Sequence, residues 1–449
     1  MKSSWEDTIA AVATPSGRGG IGVIRASGPA VENLLEPILG KRPPPREAVF
    51  TPFLDSDGQR IDQGIAVYFP GPQSFTGESI LELHGHGNPV LLDLILARLF
   101  QLGCRPARPG EFTERAFLNN KIDLAQAEAI ADLINAETQR GIRAASRSLD
   151  GEFSRRINTL VESCIQLRLF VEAAIDFSDE DIDFLSEAGL EGKMKGLLTS
   201  LESVLKASRQ GALLREGMTL VLAGKPNAGK SSLLNLLSGR DSAIVTPIAG
   251  TTRDTLREHV ELDGIPLHVI DTAGLRIDTD DPIEKEGIRR ARAAFESSDQ
   301  ILIILDDRNP EDLIEIAQGL PKGRPYLIVR NKIDLSGNPP GVKETSEGCE
   351  IRISLKTGQG VESLKRKLLA STEAEEASTD HFMARRRHLE ALKRASEEMG
   401  QGLVALHANR LEILAEHLRN AQDSLAEITG EFTSDDLLGR IFSSFCIGK

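Results

Sequence analysis

Gly224-Lys225-Pro226-Asn227-Ala228-Gly229-Lys230-Ser231 is a phosphate-binding loop of the form G-x-x-x-x-G-K-S, and its flanks suit it. A β-branched and aliphatic run, Thr219-Leu220-Val221-Leu222, precedes it. A helical run, Ser232-Leu233-Leu234-Asn235-Leu236-Leu237, follows. The glycines let backbone N–H groups curl around phosphate oxygens. Lys230 is expected to reach the β/γ-phosphates, and the Ser231 hydroxyl to ligate Mg²⁺.

Three further elements follow in order, each at the end of an apolar run. Asp271-Thr272-Ala273-Gly274 closes the run Leu267–Ile270 as a D-x-x-G element. Its carboxylate backs up the metal, and the Gly274 N–H senses the γ-phosphate. Asn331-Lys332-Ile333-Asp334 closes the run Tyr326–Val329. The Asp334 carboxylate only accepts, so it pairs with the two N–H groups on the edge of guanine. Adenine offers no such pair and would leave a buried carboxylate unmatched. Ser354-Leu355-Lys356 follows Glu350–Ile353 and supplies a backbone N–H near guanine O6. Ligands of open α/β sheets bind outside the carboxyl ends of the strands, where all of these elements fall. A GTPase domain over residues 216–375 is expected, its GTP lined by Gly224, Asn227 to Ser232 and the elements above.

Two departures bear on hydrolysis. Ras-like enzymes place a water-orienting glutamine after D-x-x-G. Here that position is Leu275, which orients nothing, so another group must act. The following stretch, Arg276 to Glu286, is acidic. It reads either as a solvated switch loop or as the source of one carboxylate that swings onto the water. The second departure is Thr246-Pro247-Ile248-Ala249-Gly250-Thr251-Thr252-Arg253-Asp254. Thr252 is the expected second Mg²⁺ hydroxyl. Its neighbouring carbonyls and the Asn227 side chain offer an oxygen cage for a monovalent cation, which would do an arginine finger's work. Arg253 as a finger in cis is the rival reading, and the plainest is that Asn227 only stabilises its turn.

At 449 residues the length suits about three domains, and 40% hydrophobic with 4% aromatic residues suits a helix-rich, aliphatic core. Val90–Phe100 is broken by Asp93 and Arg98, so no membrane span is expected. Met1–Asp7 has no apolar signal core, so no secretion is expected and a cytoplasmic location is. The net charge of −14 argues against an indiscriminate nucleic-acid binder. Arg385-Arg386-Arg387-His388 is the one tight basic cluster, read as a helix face or as a nucleic-acid backbone contact. Cys104, Cys164, Cys349 and Cys446 have no C-x-x-C or metal spacing. Cys164 reads as core, Cys104 and Cys349 as inert. Cys446 fits prenylation poorly, since Gly448 is not aliphatic and Lys449 is a poor last residue. It is an irrelevant thiol or a delivered nucleophile.

Residues 1–119 read as α/β, with strands at Thr8–Ala13, Ile21–Ala26, Ile65–Phe69 and Ser79–Leu83, a helix from Pro89 to Leu102, and an extended loop at Pro43-Pro44-Pro45. His84-Gly85-His86 lacks a third ligand and reads as structural. Residues 120–215 turn helical, with Leu124, Ala127, Ile130, Leu133 and Ile134 on one face and Asp123 as N-cap. Ile157, Leu160, Val161, Cys164, Leu167 and Val171 repeat the pattern. An acidic linker at 371–380 leads back to helix over residues 381–445, the second part of the helical domain being 376–449. The GTPase domain is thus expected as an insertion in a helical domain, an arrangement that converts a switch into distant movement.

The chain resembles the MnmE (TrmE) tRNA-modification GTPases over essentially its whole length. The likeness rests on residues 224–231, on Ile248–Asp254 and Asp271–Arg276, on Pro109–Thr113, Asp123–Glu128 and Gly430–Gly439, and on the final Phe445-Cys446-Ile447-Gly448-Lys449. It implies K⁺-stimulated hydrolysis with K⁺ on Asn227, Thr246, Ile248 and Thr251, and G domains of two subunits meeting across the nucleotides. Glu284 would position the water, with Glu286 as the alternative. The N-terminal domain would resemble a tetrahydrofolate-binding domain and make a homodimer, with Arg25, Glu82, Lys121 and Lys449 on the folate. Cys446 falls on the signature cysteine. The implied function is GTP-driven addition of an aminomethyl or carboxymethylaminomethyl group to C5 of the tRNA wobble uridine, with an FAD-dependent partner and folate as one-carbon source. The alternative class is a non-catalytic ribosome-assembly or signalling GTPase. The inserted topology, the terminal thiol and the lack of a G-x-x-G RNA module in the C-terminal third stand against it.

Overall fold

The computed structural model describes residues 7–176, 189–237, 258–271, 295, 298–318, 320, 326–345, 348–370, 382–431 and 435–448. In chain order the elements are β1 (Thr8–Val12), β2 (Gly19–Ser27), α1 (Val31–Leu39), β3 (Val49–Leu54), β4 (Arg60–Phe69), β5 (Ile80–Gly87), α2 (Pro89–Gln101), β6 (Cys104–Pro106) and α3 (Glu111–Leu118). Helices α4 (Leu124–Asn135), α5 (Gln139–Leu149), α6 (Glu152–Asp176) and α7 (Leu190–Glu216) follow. Then come β7 (Met218–Ala223), α8 (Lys230–Leu237), β8 (Glu258–Leu262), β9 (Ile265–Asp271), β10 (Gln300–Asp306), α9 (Asp312–Gln318), β11 (Tyr326–Asn331), α10 (Ile333–Ser336), β12 (Gly341–Thr345), β13 (Gly348–Arg352) and α11 (Val361–Ala370). Helices α12 (Arg386–His407), α13 (Leu411–Thr429) and α14 (Asp435–Ser443) end the chain. Two compact units result: Met1–Ala131 with Ser148–Thr199 and Ala391–Lys449, and Asp132–Arg147 with Ser200–Glu390. No helix among the described residues is long and apolar enough to cross a membrane.

The first unit holds a six-stranded sheet in the order β3-β4-β5-β2-β1-β6. Alternation along the strands sends Ile24, Ala26, Leu81 and Leu83 into a core shared with Leu34 and Ile38 of α1 and Ile95 and Leu99 of α2. The opposite face carries Arg25, Glu82 and His84. The strands and the long helix read from the sequence are present. The reading missed α1, a short amphipathic helix with Pro37 inside it, and the edge strands β3 and β6. Asp123 caps α4 as expected: its Oδ1 accepts from the Gln126 amide at 2.8 Å, and Gln126 Oε1 accepts from the Asp123 amide at 3.0 Å. This reciprocal box satisfies two end N–H groups at once. The buried stripe Ile157, Leu160, Cys164, Leu167 and Val171 of α6 packs along Leu414, Leu418, Ala421 and Leu425 of α13.

The second unit holds a seven-stranded sheet in the order β12-β13-β11-β10-β7-β9-β8. β13, β11, β10, β7 and β9 run parallel, and β12 and β8 pair antiparallel at the edges. Every residue of β10 is buried, as a strand covered on both faces requires. Leu220, Leu222, Leu302 and Ile304 face Leu233 of α8 and Leu364 of α11. Val221, Ile301 and Ile303 face Phe295 and Leu313 of α9.

A buried ion network anchors α3 in the first unit. Arg115 and Glu111 are fully buried. Arg115 donates to Glu78 at 3.1 Å and to Asp7 Oδ1 at 2.8 Å. Glu111 accepts from Arg105 Nη1 at 2.8 Å and from the Arg108 amide at 2.7 Å. Burial alone would raise the Glu111 carboxyl, but these hydrogen bonds and the guanidinium charges outweigh it and hold the pKa down at about 2. A depressed folded pKa contributes stability that is present above the ordinary value of 4.5 and lost as pH falls toward about 2. Glu111→Gln is therefore expected to be less stable than wild type at pH 7, with the gap closing below pH 4.5. Urea unfolding followed by circular dichroism reads this. A gap that stays constant across the window would show that Glu111 is not held as an anion by these partners.

Candidate guanine-nucleotide site and C-terminal tail

The nucleotide elements lie at the carboxyl ends of β7, β9, β11 and β13, and their side chains interlock. β7 runs into the loop at Gly224, where a side chain would meet the Ile304 carbonyl at 2.4 Å. Gly229, with φ +115°, sits against Asn331, and a Cβ there would lie 2.2 Å from Asn331 Nδ2. Only glycine permits that approach. Asn227 turns the loop in the left-handed region, with φ +63°. Lys230, first residue of α8, donates its Nζ to the Gly224 carbonyl at 2.6 Å and to the Lys225 carbonyl at 3.1 Å. The ammonium is thus curled back over the loop that would hold the phosphates. Lys225 is drawn outward to Asp312 at 2.9 Å and Glu315 at 2.6 Å on α9.

Asn331 is 3% exposed and is the junction of the site. Its Nδ2 donates to the Ala228 carbonyl at 2.9 Å, and its Oδ1 accepts from the Leu355 amide at 3.1 Å. One side chain therefore ties the phosphate loop to the loop after β13. Ser354 Oγ donates to Asp334 Oδ1 at 2.7 Å and accepts from the Thr357 amide at 3.2 Å. This places the Asp334 carboxylate, the one expected to read guanine, beside the Ser354-Leu355-Lys356 turn. Lys332 has φ +68°, and its Nζ reaches Asp306 Oδ2 at 2.9 Å. Asp271 ends β9, its backbone in register with Leu222.

Asp306, Asp307 and Arg308 belong to this cluster, and the sequence reading passed over them. Arg308 grips Asp306 through Nε at 3.0 Å and Nη2 at 2.8 Å. The Arg308 hydrogen bonds, with help from Lys332, hold the Asp306 carboxyl well below the usual range. The signal was present: two acids end the apolar run Ile301–Leu305 at the carboxyl edge of a parallel strand, where binding residues gather. Thr246 to Thr252, Thr272 to Gly274, Glu284 and Glu286 lie outside the described residues, as does Lys449.

In the first unit Arg25 and Glu82 come together across β2 and β5. Arg25 donates to Glu82 Oε1 through Nε at 2.9 Å and Nη2 at 2.8 Å. The guanidinium lies over the rings of Phe75 and Phe112, 5.6 and 5.8 Å from their centroids. Lys121 donates to the Pro72 carbonyl at 3.1 Å, on the loop that also carries Phe75. His84 pairs with Glu82 at 3.2 Å and His86 with Asp62 at 2.8 Å, and among the described residues no cluster suits a metal ion. The tail docks here. Ile441, Phe442 and Phe445 pack on Leu124 and Ala127. The Gly110 amide donates to the Cys446 carbonyl at 3.3 Å. Gly448 lies against Val12 and Ala13, where a side chain would meet the Val12 carbonyl at 2.2 Å. Ala11, in register with Arg25, is only one residue further along.

Cys446 is exposed, while Cys104, Cys164 and Cys349 are buried. Burial pushes the Cys104 and Cys164 thiols up to about 12 and the Cys349 thiol upward as well. Of the basic cluster, Arg385 is committed to Asp132 at 2.7 Å and Arg386 to Glu390 at 3.0 Å along α12. Of these two, only Arg386 pairs along a helix face; Arg385 precedes α12 and is tied to Asp132 of α4.

A family model described as the MnmE helical domain matches residues 124–446, and one described as the GTP-binding protein TrmE N-terminus matches residues 8–121. The tRNA modification GTPase MnmE of Methylococcus capsulatus is 55% identical over 449 residues, 100% of both chains. Among solved structures, the G domain of the T. maritima FeoB iron transporter is 26% identical over 34% of this chain and 98% of its own, with a TM-score of 0.27. The translation elongation factor SelB of Methanococcus maripaludis is 20% identical over 36% of this chain and 35% of its own, with a TM-score of 0.24. The family models account for both ends of the chain, and a relative of equal length agrees with it from end to end, so this chain belongs to the MnmE (TrmE) family of GTPases.

Proposed function

We propose that this GTPase modifies tRNA: with an FAD-dependent partner it uses a folate one-carbon unit to add an aminomethyl or carboxymethylaminomethyl group at C5 of the wobble uridine. The observation that carries the GTP half is Asn331, which joins the phosphate loop to the loop after β13 in a geometry fit for a guanine nucleotide. The tRNA half rests on family membership and on the likeness to the Methylococcus capsulatus tRNA modification GTPase. The domains are residues 1–119 for folate and dimerisation, 120–215 and 376–449 for the helical domain, and 216–375 for the inserted G domain.

In the G domain, Lys230 leaves the carbonyls of Gly224 and Lys225 for the β/γ-phosphates, so nucleotide replaces an internal hydrogen-bonded resting place. Mg²⁺ would sit on the hydroxyls of Ser231 and Thr252, an oxygen-only donor set that suits a hard cation. K⁺ would sit on Asn227, Thr246, Ile248 and Thr251 and supply positive charge between the β- and γ-phosphates. Asn227 holds a left-handed backbone conformation within the loop, and its side-chain carbonyl would be one of the ion's oxygen ligands. Glu284 positions the attacking water, the role Leu275 cannot fill.

In the folate domain, Glu82 suits the amino edge of a pterin, while Arg25, Lys121 and Lys449 suit carboxylates. The paired Arg25 and Glu82 offer a polar anchor, and the exposed Phe75 beside Arg25 offers a ring. Tail docking delivers the Cys446 thiol to the same domain. The protein acts in the cytoplasm as a homodimer joined by its N-terminal domains, and with the FAD-dependent partner as a heterotetramer.

The deciding experiment is mass spectrometry of wobble-uridine nucleosides from cells lacking the protein, restored with wild type or Cys446→Ser. Loss of the C5 modification, rescued by wild type alone, is expected; unchanged nucleosides in the deletion strain would move the function to ribosome assembly or signalling. Asp334→Asn should weaken GTP binding by about tenfold or more, as loss of a charged hydrogen-bond pair does, and gain xanthine nucleotides. Unaltered GTP affinity would remove Asp334 from the base site. GTP turnover should rise when K⁺ replaces Na⁺, and equal rates in the two salts would rule out the cation cage.

A further inference from the structure

The structure assigns a guanine-specificity role to the Asp306-Asp307 pair at the end of β10: the two carboxylates position the Asn331–Asp334 loop before nucleotide arrives. The inference rests on the reading of Asp334 as the base-reading carboxylate.

The loop is gripped from both sides by consecutive residues. Asp306 takes Lys332 Nζ at 2.9 Å. Asp307 accepts from Ser336 Oγ and from Asn338 Nδ2, the latter at 2.7 Å. Its own amide donates to the Asn331 carbonyl at 2.8 Å. Asp334 lies between these two attachments. Both acids are buried, at 9% and 8% exposure, so their charges act through a medium where water screens them little.

The grip has a load to carry. Lys332 is held at φ +68°, a conformation a non-glycine residue adopts only under surrounding constraint. Removing the Asp306 anchor allows the Lys332 backbone to relax, and with it Asp334, two residues on. Arg308 completes the device by fixing Asp306 with two side-chain hydrogen bonds and one from its backbone amide. It leaves the carboxylate oriented toward Lys332. A loop ordered in advance spares the ligand the entropy of ordering it, so the effect falls on affinity for the base.

The test is titration of the full chain with fluorescent N-methylanthraniloyl-GDP, for wild type, Asp306→Asn, Lys332→Met and the double variant. Each single change should raise Kd about tenfold, the effect of losing one charged hydrogen bond. Because both remove the same contact, the double variant should lose about as much as the worse single one and not the product. A merely structural role for Asp306 would give independent, multiplying losses. Those losses, or an Asp306→Asn Kd within about twofold of wild type, would overturn the inference. Should Asp306→Asn fail to fold by circular dichroism and gel filtration, Arg308→Ala decides. Its side chain is half exposed, and an expected rise of about threefold replaces the tenfold one. An unchanged Kd there overturns the inference equally. Asp334→Asn is run in parallel. If it fails to shift preference toward xanthine diphosphate, the base-site reading itself falls. If it shifts while Asp306→Asn does nothing, only the positioning role falls.

Discussion

The two hydrogen bonds of the Asn331 carboxamide hold the nucleotide site together. They run to a backbone carbonyl of one loop and a backbone amide of another, about a hundred and about twenty residues away in sequence respectively. One buried amide thereby ties together two loops that lie far apart in sequence. The cost of the arrangement is strict. Gly229 must lack a side chain for Asn331 to approach, and Asn331 must keep both ends satisfied, because an orphaned amide buried there costs about 1–3 kcal/mol. The parallel sheet makes this affordable in geometric terms: β7, β11 and β13 end at one edge, so three loops meet without long connections.

Charge then sharpens what the amide assembles. Lys230 and Lys332 both lie in the site, and each is already engaged, one by carbonyls of its own loop and one by Asp306. On the proposed reading, a nucleotide would exchange partners with Lys230 but meet Lys332 in place. The difference matters, because phosphate supplies its own strong attraction and can displace a neutral carbonyl. Base recognition has less energy to draw on and gains more from a loop that is already ordered.

Much of this was legible in the sequence, for identifiable reasons. Motif residues such as Gly224, Lys230 and Asp334 sit at fixed spacing after apolar runs, and spacing is what a sequence displays. The buried faces of α6 and of the central strands follow from periods of 3.6 and 2. What was not legible depends on partners distant along the chain. Asp306 looks like an ordinary strand-end acid until Lys332 is seen beside it. Arg115 and Glu111 look like an i, i+4 surface pair on α3 until Asp7, Glu78 and Arg105 close over them. β3 escaped notice because Pro52 interrupts it, which is tolerable only because β3 lies at the sheet edge. Lys121 and Arg25 read alike as surface cations, yet one is committed to a loop carbonyl and the other to Glu82.

The buried network around α3 carries the same logic to the other end of the chain. Burying several charges is costly, and replacing them with apolar groups often loses no stability. Their value here is positional. Arg105 and the Arg108 amide both end on Glu111, and this fixes the segment entering α3. Gly110, which caps the start of α3, donates its amide to the Cys446 carbonyl. Gly110 itself sits in the left-handed region with φ +66°, and a side chain there would meet the Phe442 carbonyl at 2.6 Å. The tail is therefore seated against a rigid turn rather than a compliant loop. An exposed thiol on a firmly seated backbone can be aimed, whereas one on a free end would spend most of its time elsewhere. The ion network, remote from Cys446 in sequence, thereby fixes the turn whose Gly110 amide holds the Cys446 backbone.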